Sequence, residues 1–188
     1  MVVRVLSYVL LGAFFGLERL LRRDEQARRV EPDRPSDRGS SLLIAIALSL
    51  ATVVAPLLNR RRIGRVERRW VGAAGLAAML AGLALRAWAM RTLGAFYTRT
   101  LLVASGQRIV ARGPYRLVRH PGYLGTILVW VGAALAAANW LATATVGLLM
   151  LAAYGYRIGS EEAMLVESFG EEYRAYMART WRLVPRLY

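Results

Sequence analysis

Apolar residues in this chain are gathered into long blocks instead of alternating with charge. With His120 counted neutral, no charged side chain occurs from Ser40 to Asn59, from Trp70 to Leu85, or from His120 to Tyr156. A hydrocarbon core about 30 Å thick takes about 20 helical residues to cross, at about 1.5 Å each. Blocks of that length exclude an ordinary soluble globule and predict membrane helices. A shorter block, Val5 to Leu17, lies between Arg4 and Glu18, and Leu20 and Leu21 extend its apolar face. No small-x-small cleavage pattern follows it, so it reads as a short first helix and not as a signal peptide. Gly12 and Gly16 form a GxxxG pair suited to close helix packing. Arg22 to Ser40, with Pro32, Pro35 and Gly39, reads as a loop.

The second span is predicted over Ser40 to Leu58, and the third from Trp70 to about Met90. Between them lies a turn carrying Arg60, Arg61, Arg62, Arg65, Arg68 and Arg69. Gly72, Gly75, Ala78 and Gly82 suit tight packing of the third span. Arg86 in its last turn either snorkels to the interface or faces a polar cavity. Arg91 to Arg119 is too polar to face lipid. The uncharged stretch of residues 120–156 would be about 55 Å long as one helix, so it is expected to break at Asn139-Trp140. That gives a hairpin of Tyr123–Ala138 and Leu141–Tyr156. From Arg157 the chain is mixed in charge, with Leu165, Phe169, Tyr173 and Tyr176 at helical spacing. The expected fold is all-α: one polytopic membrane bundle over 1–188, with about five transmembrane helices, a helical hairpin and a cytosolic C-terminal helix.

Composition sharpens this picture. Of 188 residues, 56% are hydrophobic and 20% charged, and the mean hydropathy is +0.35. The 26 basic residues are all Arg, against 12 acidic ones, for a formal net charge of +14. In a soluble protein that balance would indicate nucleic acid. Here the arginines flank apolar blocks, where anionic membrane lipids and the positive-inside bias account for them, so no nucleic-acid partner is expected. The absence of Lys points to a GC-rich, bacterial genome and hence to a multi-pass protein of the cytoplasmic membrane. One conflict stands: five spans leave the arginine-rich 60–69 turn on the face opposite the other basic segments. With no Cys and one His, thiolate chemistry and a histidine metal cluster are excluded, and no metal is expected.

Three features carry candidate chemistry. In Gly113-Pro114-Tyr115-Arg116-Leu117-Val118-Arg119-His120-Pro121-Gly122-Tyr123, Gly113-Pro114 makes a turn and Pro121 suits the first position of a helix. His120 then sits just outside a helix N-terminus, where free N–H groups favour an anion. Arg157 and Glu161 lie one turn apart on one helical face. Such a pair is ordinarily a solvated salt bridge, but at membrane depth it is a functional candidate. The connector around Gln107 to Val110 is the third. No G-x-G occurs, so a Rossmann-type nucleotide grip is excluded.

Gly-Pro-Tyr-Arg and Arg-His-Pro-Gly-Tyr-Leu-Gly within 113–125, Arg157 with Glu161-Glu162-x-x-Leu165, and Phe169-Gly170-Glu171-Glu172-Tyr173 together resemble the isoprenylcysteine carboxyl methyltransferase and phospholipid methyltransferase superfamily. The likeness covers about residues 91–188; residues 1–90 match only as three membrane helices. It implies an integral membrane enzyme using S-adenosyl-L-methionine, with 91–188 as the cofactor-binding and catalytic part. By the same resemblance, Gln107, Arg108, Ile109 and Val110 lie along the cofactor. The family often has His where this chain has Gln107. Tyr115, His120, Pro121, Gly122 and Tyr123 line the cofactor site, Glu161 contacts the cofactor, and Arg157 faces the acceptor.

Chemistry agrees with those implied roles. An adenine wants an aromatic face, a carboxylate wants N–H donors, and ribose hydroxyls and an ammonium want a carboxylate. Methyl transfer needs alignment more than proton transfer. A carboxylate acceptor needs no base, and an Arg holds it bidentately, which favours O-methylation of an isoprenoid-type or other lipophilic small molecule or lipid at the cytoplasmic face. Phospholipid N-methylation is one alternative. Another is an NADPH-dependent membrane sterol or enone reductase, which shares an Arg-His-Pro-x-Tyr-x-Gly run. A non-catalytic relative of the fold is the third.

Overall fold

The computed structural model describes residues 2–27, 39–61, 63–97 and 108–188. Five long helices run through it: α1 Val2–Ala27, α2 Ser40–Arg60, α3 Arg69–Leu93, α4 Pro121–Ala136 and α5 Trp140–Phe169. A short α6, Glu171–Met177, follows. Among the described residues, three helices are long and apolar enough to cross a membrane: α2, α3 from Trp70, and α5. α4 is apolar but only 16 residues long, and α1 has charged residues within its 26. The outer faces of α1 and α2 expose Val5, Val9, Leu20, Leu42, Ile46, Leu50 and Val53, the surface a lipid solvent accepts and water does not.

The expected helices form, with shifted ends. α1 continues to Ala27, past the polar start at Arg22, because Arg, Glu and Gln are good helix formers. The largest difference is at Tyr156. The helix expected to end there runs on without interruption to Phe169, because Arg157 is buried and its charge is met by neighbours. Gly170, at φ 55°, makes the break instead and starts α6.

The hairpin turn lies where the sequence puts it. The Asn139 side chain caps α5 by accepting from the Ala142 N–H at 2.9 Å. Its amide also donates to the Ile63 carbonyl at 2.7 Å. Val66 N–H to Ala138 O (2.8 Å) and Trp140 N–H to Gly64 O (2.9 Å) complete the zip between the α2–α3 and α4–α5 turns. Successive helices therefore alternate in direction. Residues 3, 59, 63–66, 72 and 136–140 gather at one end, and Glu18, Ser40, Arg86, Gly122 and Arg157 at the other.

Two interfaces hold the bundle. α3 and α4 make the most extensive contact, through facing glycines. A Cβ on Gly82 would stand 2.6 Å from the Gly125 carbonyl oxygen, and one on Gly132 would stand 2.8 Å from that of Gly75. α2 packs on α5 through Ala47 and Ala51 against Ala142, Val146, Met150 and Ile158. The first is welded by backbone approach, the second by side-chain interlock. α1 leans on α3 and α4 through Phe14 against Met79 and Val129.

Candidate active site

At the end holding Glu18 and Arg157, the helices diverge around a cavity of about 730 Å³, within the range of roughly 300–1,000 Å³ usual for small-molecule sites. Pro121 opens α4 as its first residue, with His120 at the N-cap. This fixes His120 and Tyr123 at the cavity wall, their rings parallel to within 3° and 5.5 Å apart. α5 supplies Arg157 and Glu161 from the same face.

Tyr123 joins them. Its hydroxyl donates to Glu161 Oε2 at 2.6 Å and accepts from Arg157 Nε at 3.3 Å. Arg157 is only 3% exposed, so its charge needs close polar partners. Besides Tyr123, its Nη1 donates to Ser40 Oγ at 2.9 Å and Ser41 Oγ at 3.0 Å, both at the start of α2. The result is a polar relay from α2 through Arg157 and Tyr123 to Glu161.

Behind it lies a second cluster. Glu162 faces away from the cavity, because adjacent helical residues point about 100° apart. It accepts from Arg119 Nε at 2.8 Å and Arg182 Nε at 2.9 Å, with His120 Nε2 at 3.3 Å. Arg119 also donates to the carbonyls of Met177 and Thr180. The C-terminal segment doubles back beside 117–120: Arg119 N–H donates to Trp181 O at 2.7 Å and His120 N–H to Arg182 O at 3.1 Å. Leu183 buries itself in the α2–α5 core. This strap holds the residues preceding α4 in place.

The turn Gly113–Arg116 is a 3-10 helix with Pro114 and Tyr115 buried. The Tyr176 hydroxyl donates to the Tyr115 carbonyl at 2.8 Å. Burial, with the Glu161 charge adding for Tyr115, pushes the Tyr115 and Tyr173 hydroxyls well above the usual tyrosine range. Burial likewise pushes Tyr176 up to about 12. These three tyrosines are therefore neutral walls and donors at physiological pH, and none serves as a base.

Of the residues singled out by sequence, Arg108, Ile109, Val110, Tyr115, His120, Gly122, Tyr123, Arg157 and Glu161 all line this one cavity. Pro121 is fully buried beside it, and Gln107 lies outside the described residues. Sequence reasoning missed Ser40, Ser41 and Glu162, and left Glu18, Arg86 and Tyr97 without a role. Only a buried charge at a helix end hinted at Arg86. Around the cavity stand aromatic rings at Tyr115 and Tyr123, a carboxylate at Glu161 and the Gly122 N–H at the start of α4. Among the described residues no group of His, Asp and Glu is arranged to hold a metal ion.

The sequence model of the isoprenylcysteine carboxyl methyltransferase family matches residues 74–167, half of the chain. A probable protein-S-isoprenylcysteine O-methyltransferase of Oryza sativa subsp. indica is 29% identical over 186 residues, covering 95% of this chain and 88% of the relative. Protein-S-isoprenylcysteine O-methyltransferase B of Arabidopsis thaliana is 28% identical over 152 residues, covering 78% and 77%. Among solved structures, the eukaryotic intramembrane Ras methyltransferase ICMT superposes with a TM-score of 0.64 at 24% identity, over 77% of this chain. The match takes in 52% of that longer chain, so the likeness concerns the fold.

Proposed function

This chain belongs to the isoprenylcysteine carboxyl methyltransferase family, and from that premise we propose that it uses S-adenosyl-L-methionine to methylate the carboxylate of an isoprenoid-type or similarly lipophilic acceptor within the membrane. The observation that carries the proposal is the two-sided cavity. One wall is the polar relay Arg157–Tyr123–Glu161. The other is apolar, formed by Phe14 and Phe15 of α1 and Ile44, Ala45 and Leu48 of α2. A ligand that is ionic at one end and greasy at the other satisfies both walls.

When bound, S-adenosylmethionine supplies an electrophilic sulfonium methyl group. The chain's own residues bind, orient and exclude water. Tyr115 and the stacked His120–Tyr123 pair form the aromatic wall for the adenine. Glu161 accepts from ribose hydroxyls or the ammonium, and the Gly122 N–H at the start of α4 suits the carboxylate. Arg108, Ile109 and Val110 close the cavity from the connector side. Arg157, fixed by Ser40, Ser41 and Tyr123, is the cation at the cavity wall toward which an acceptor carboxylate is drawn. No base is required, since a carboxylate is ionised at neutral pH. The acceleration comes from alignment and from a dry, preorganised site.

Residues 1–188 act as a single membrane domain in this reading, with 1–90 contributing the apolar wall and 91–188 the cofactor grip. The same Arg157 would repel a cationic headgroup, which disfavours phospholipid N-methylation, and the relatives lend NADPH-dependent reduction no support. The test is methyl transfer from labelled S-adenosylmethionine to an S-prenylated cysteine by the detergent-solubilised protein. The expected product is a methyl ester that mild alkali converts to volatile labelled methanol. Alkali-stable label would indicate N-methylation. A protein that binds NADPH but not S-adenosylhomocysteine would overturn the proposal.

A further inference from the structure

The same cavity holds an ion pair at membrane depth, to which none of the roles above applies. Arg86 of α3 and Glu18 of α1 are each 8% exposed, with Arg86 Nε 2.5 Å from Glu18 Oε1. Both side chains reach the cavity wall. A buried guanidinium needs a counter-charge, and Glu18 supplies it. Charge compensation leaves the rest of the fork to be accounted for. Arg86 Nη1 donates to the Gly122 carbonyl at 2.9 Å and to Thr126 Oγ1 at 2.7 Å, and Nη2 lies 3.4 Å from the Tyr97 hydroxyl.

Gly122 and Thr126 are one turn apart at the start of α4, and Thr126 Oγ1 also lies 3.2 Å from Gly122 O. The residue between them that matters is Tyr123. Its hydroxyl is fixed by Glu161 and Arg157 from α5, while its backbone turn is gripped by Arg86 from α3. Arg86 has a short, stiff lever for this. The α3 and α4 backbones meet here, and a Cβ on Gly125 would stand 2.9 Å from Arg86 Cβ.

We infer that Arg86 is a positioning residue for methyl transfer: charge-balanced by Glu18, it sets the first turn of α4 and through it the place of Tyr123 between Glu161 and Arg157. The inference rests on the methyltransferase reading and deepens it. Where alignment supplies the acceleration, a displacement of about 1 Å costs up to about a hundredfold in rate. Lysine cannot replace the fork, because one ammonium offers no planar pair of donors to Glu18 and α4 together.

The experiment separates positioning from charge pairing. In Glu18→Leu/Arg86→Met both charges are replaced by apolar groups, so a pair that serves only packing leaves a stable, active protein. A positioning role predicts a double variant that melts close to wild type in detergent but binds S-adenosylhomocysteine more weakly by calorimetry, because the displaced turn carries Gly122 and Tyr123. Its kcat falls roughly tenfold or more, with the acceptor KM little changed. Arg86→Lys, with Glu18 kept, is expected to be folded and slow as well. Thr126→Val disturbs no charge and is expected to lower kcat severalfold by removing one of the two holds on α4. A folded double variant with wild-type kcat overturns the inference, as does Thr126→Val or Arg86→Lys at full rate. Wild-type protein that methylates no acceptor sinks the methyltransferase reading instead, a result independent of these variants.

Discussion

Two glutamates in succession do different work because a helix turns about 100° between them. Glu161 faces the cavity and meets the Tyr123 hydroxyl. Glu162, 4% exposed, faces the strap and holds Arg119 and Arg182. Glu161→Gln is therefore expected to weaken S-adenosylhomocysteine binding by about tenfold, the worth of one hydrogen bond to a charged group, with little change in melting temperature. Glu162→Gln leaves Arg119 buried without its counter-charge, and breaking such a pair costs about 3–5 kcal/mol. Its melting transition should fall well below that of Glu161→Gln in the same detergent, and equal transitions would show that the two carboxylates are not divided in this way. Spacing alone put Arg157 and Glu161 on one face, and made His120 the residue before a helix begun by Pro121. It was silent on Ser40, which meets Arg157 across 117 positions, and on the partners of Glu162, which come from residues 119, 120 and 182. Local rules see neighbours on one helix; they carry no information about which helices meet.

Whole elements were legible where composition changes abruptly and illegible where a charge is absorbed by the fold. The Asn139 break follows from a polar cap between apolar runs, and it is where α5 begins. The expected end at Tyr156 rested on Arg157 being solvated. Once Ser40, Ser41 and Tyr123 take that charge, nothing stops the helix before Gly170. The α3–α4 contact was half visible, since the glycines of α3 implied close packing but not its partner. Their facing arrangement yields a paired test. Gly125 has the Gly82 carbonyl oxygen 2.7 Å from where a Cβ would stand, so Gly125→Leu must force the helices apart. Overpacking of this kind costs about 1–3 kcal/mol, and because Arg86 is gripped at the same level, methyl transfer should fall with stability. Gly159, in the middle of α5 with nothing within 4 Å, provides the contrast. Gly159→Ala should leave activity intact and raise stability by up to about 1 kcal/mol through helix propensity. Thermal melts of both variants against wild type decide it; a Gly125→Leu protein as stable as wild type would mean that the two helices are not in backbone contact.

For the molecule as a whole, the unsettled quantity in the sequence was the side on which the arginine-rich turn lies. The 22–39, 91–119 and 157–188 segments hold 17 of the arginines, and the 60–69 turn holds six. The positive-inside bias pulls both toward the same compartment, whereas alternating helices put them at opposite ends. Packing at the turn bears on this tension. The turn is zipped to the α4–α5 hairpin by Asn139, Gly64 and Ala138, so α2 and α3 cannot both turn back without breaking that zip. Arg60, Arg61, Arg65 and Arg68 are all exposed there, and in a translocated turn phosphate headgroups would balance their charge. On the positive-inside bias the larger arginine count predicts an orientation with the cavity end inside. Because the chain has no Cys, single cysteines report this directly. Arg179→Cys, exposed at the cavity end, should resist a membrane-impermeant maleimide in intact cells and react once they are permeabilised. Arg65→Cys, exposed at the other end, should react in intact cells. If both positions are protected until permeabilisation, an even number of crossings separates them. One of α3, α4 and α5, the helices between the two positions, would then lie in the membrane without crossing it.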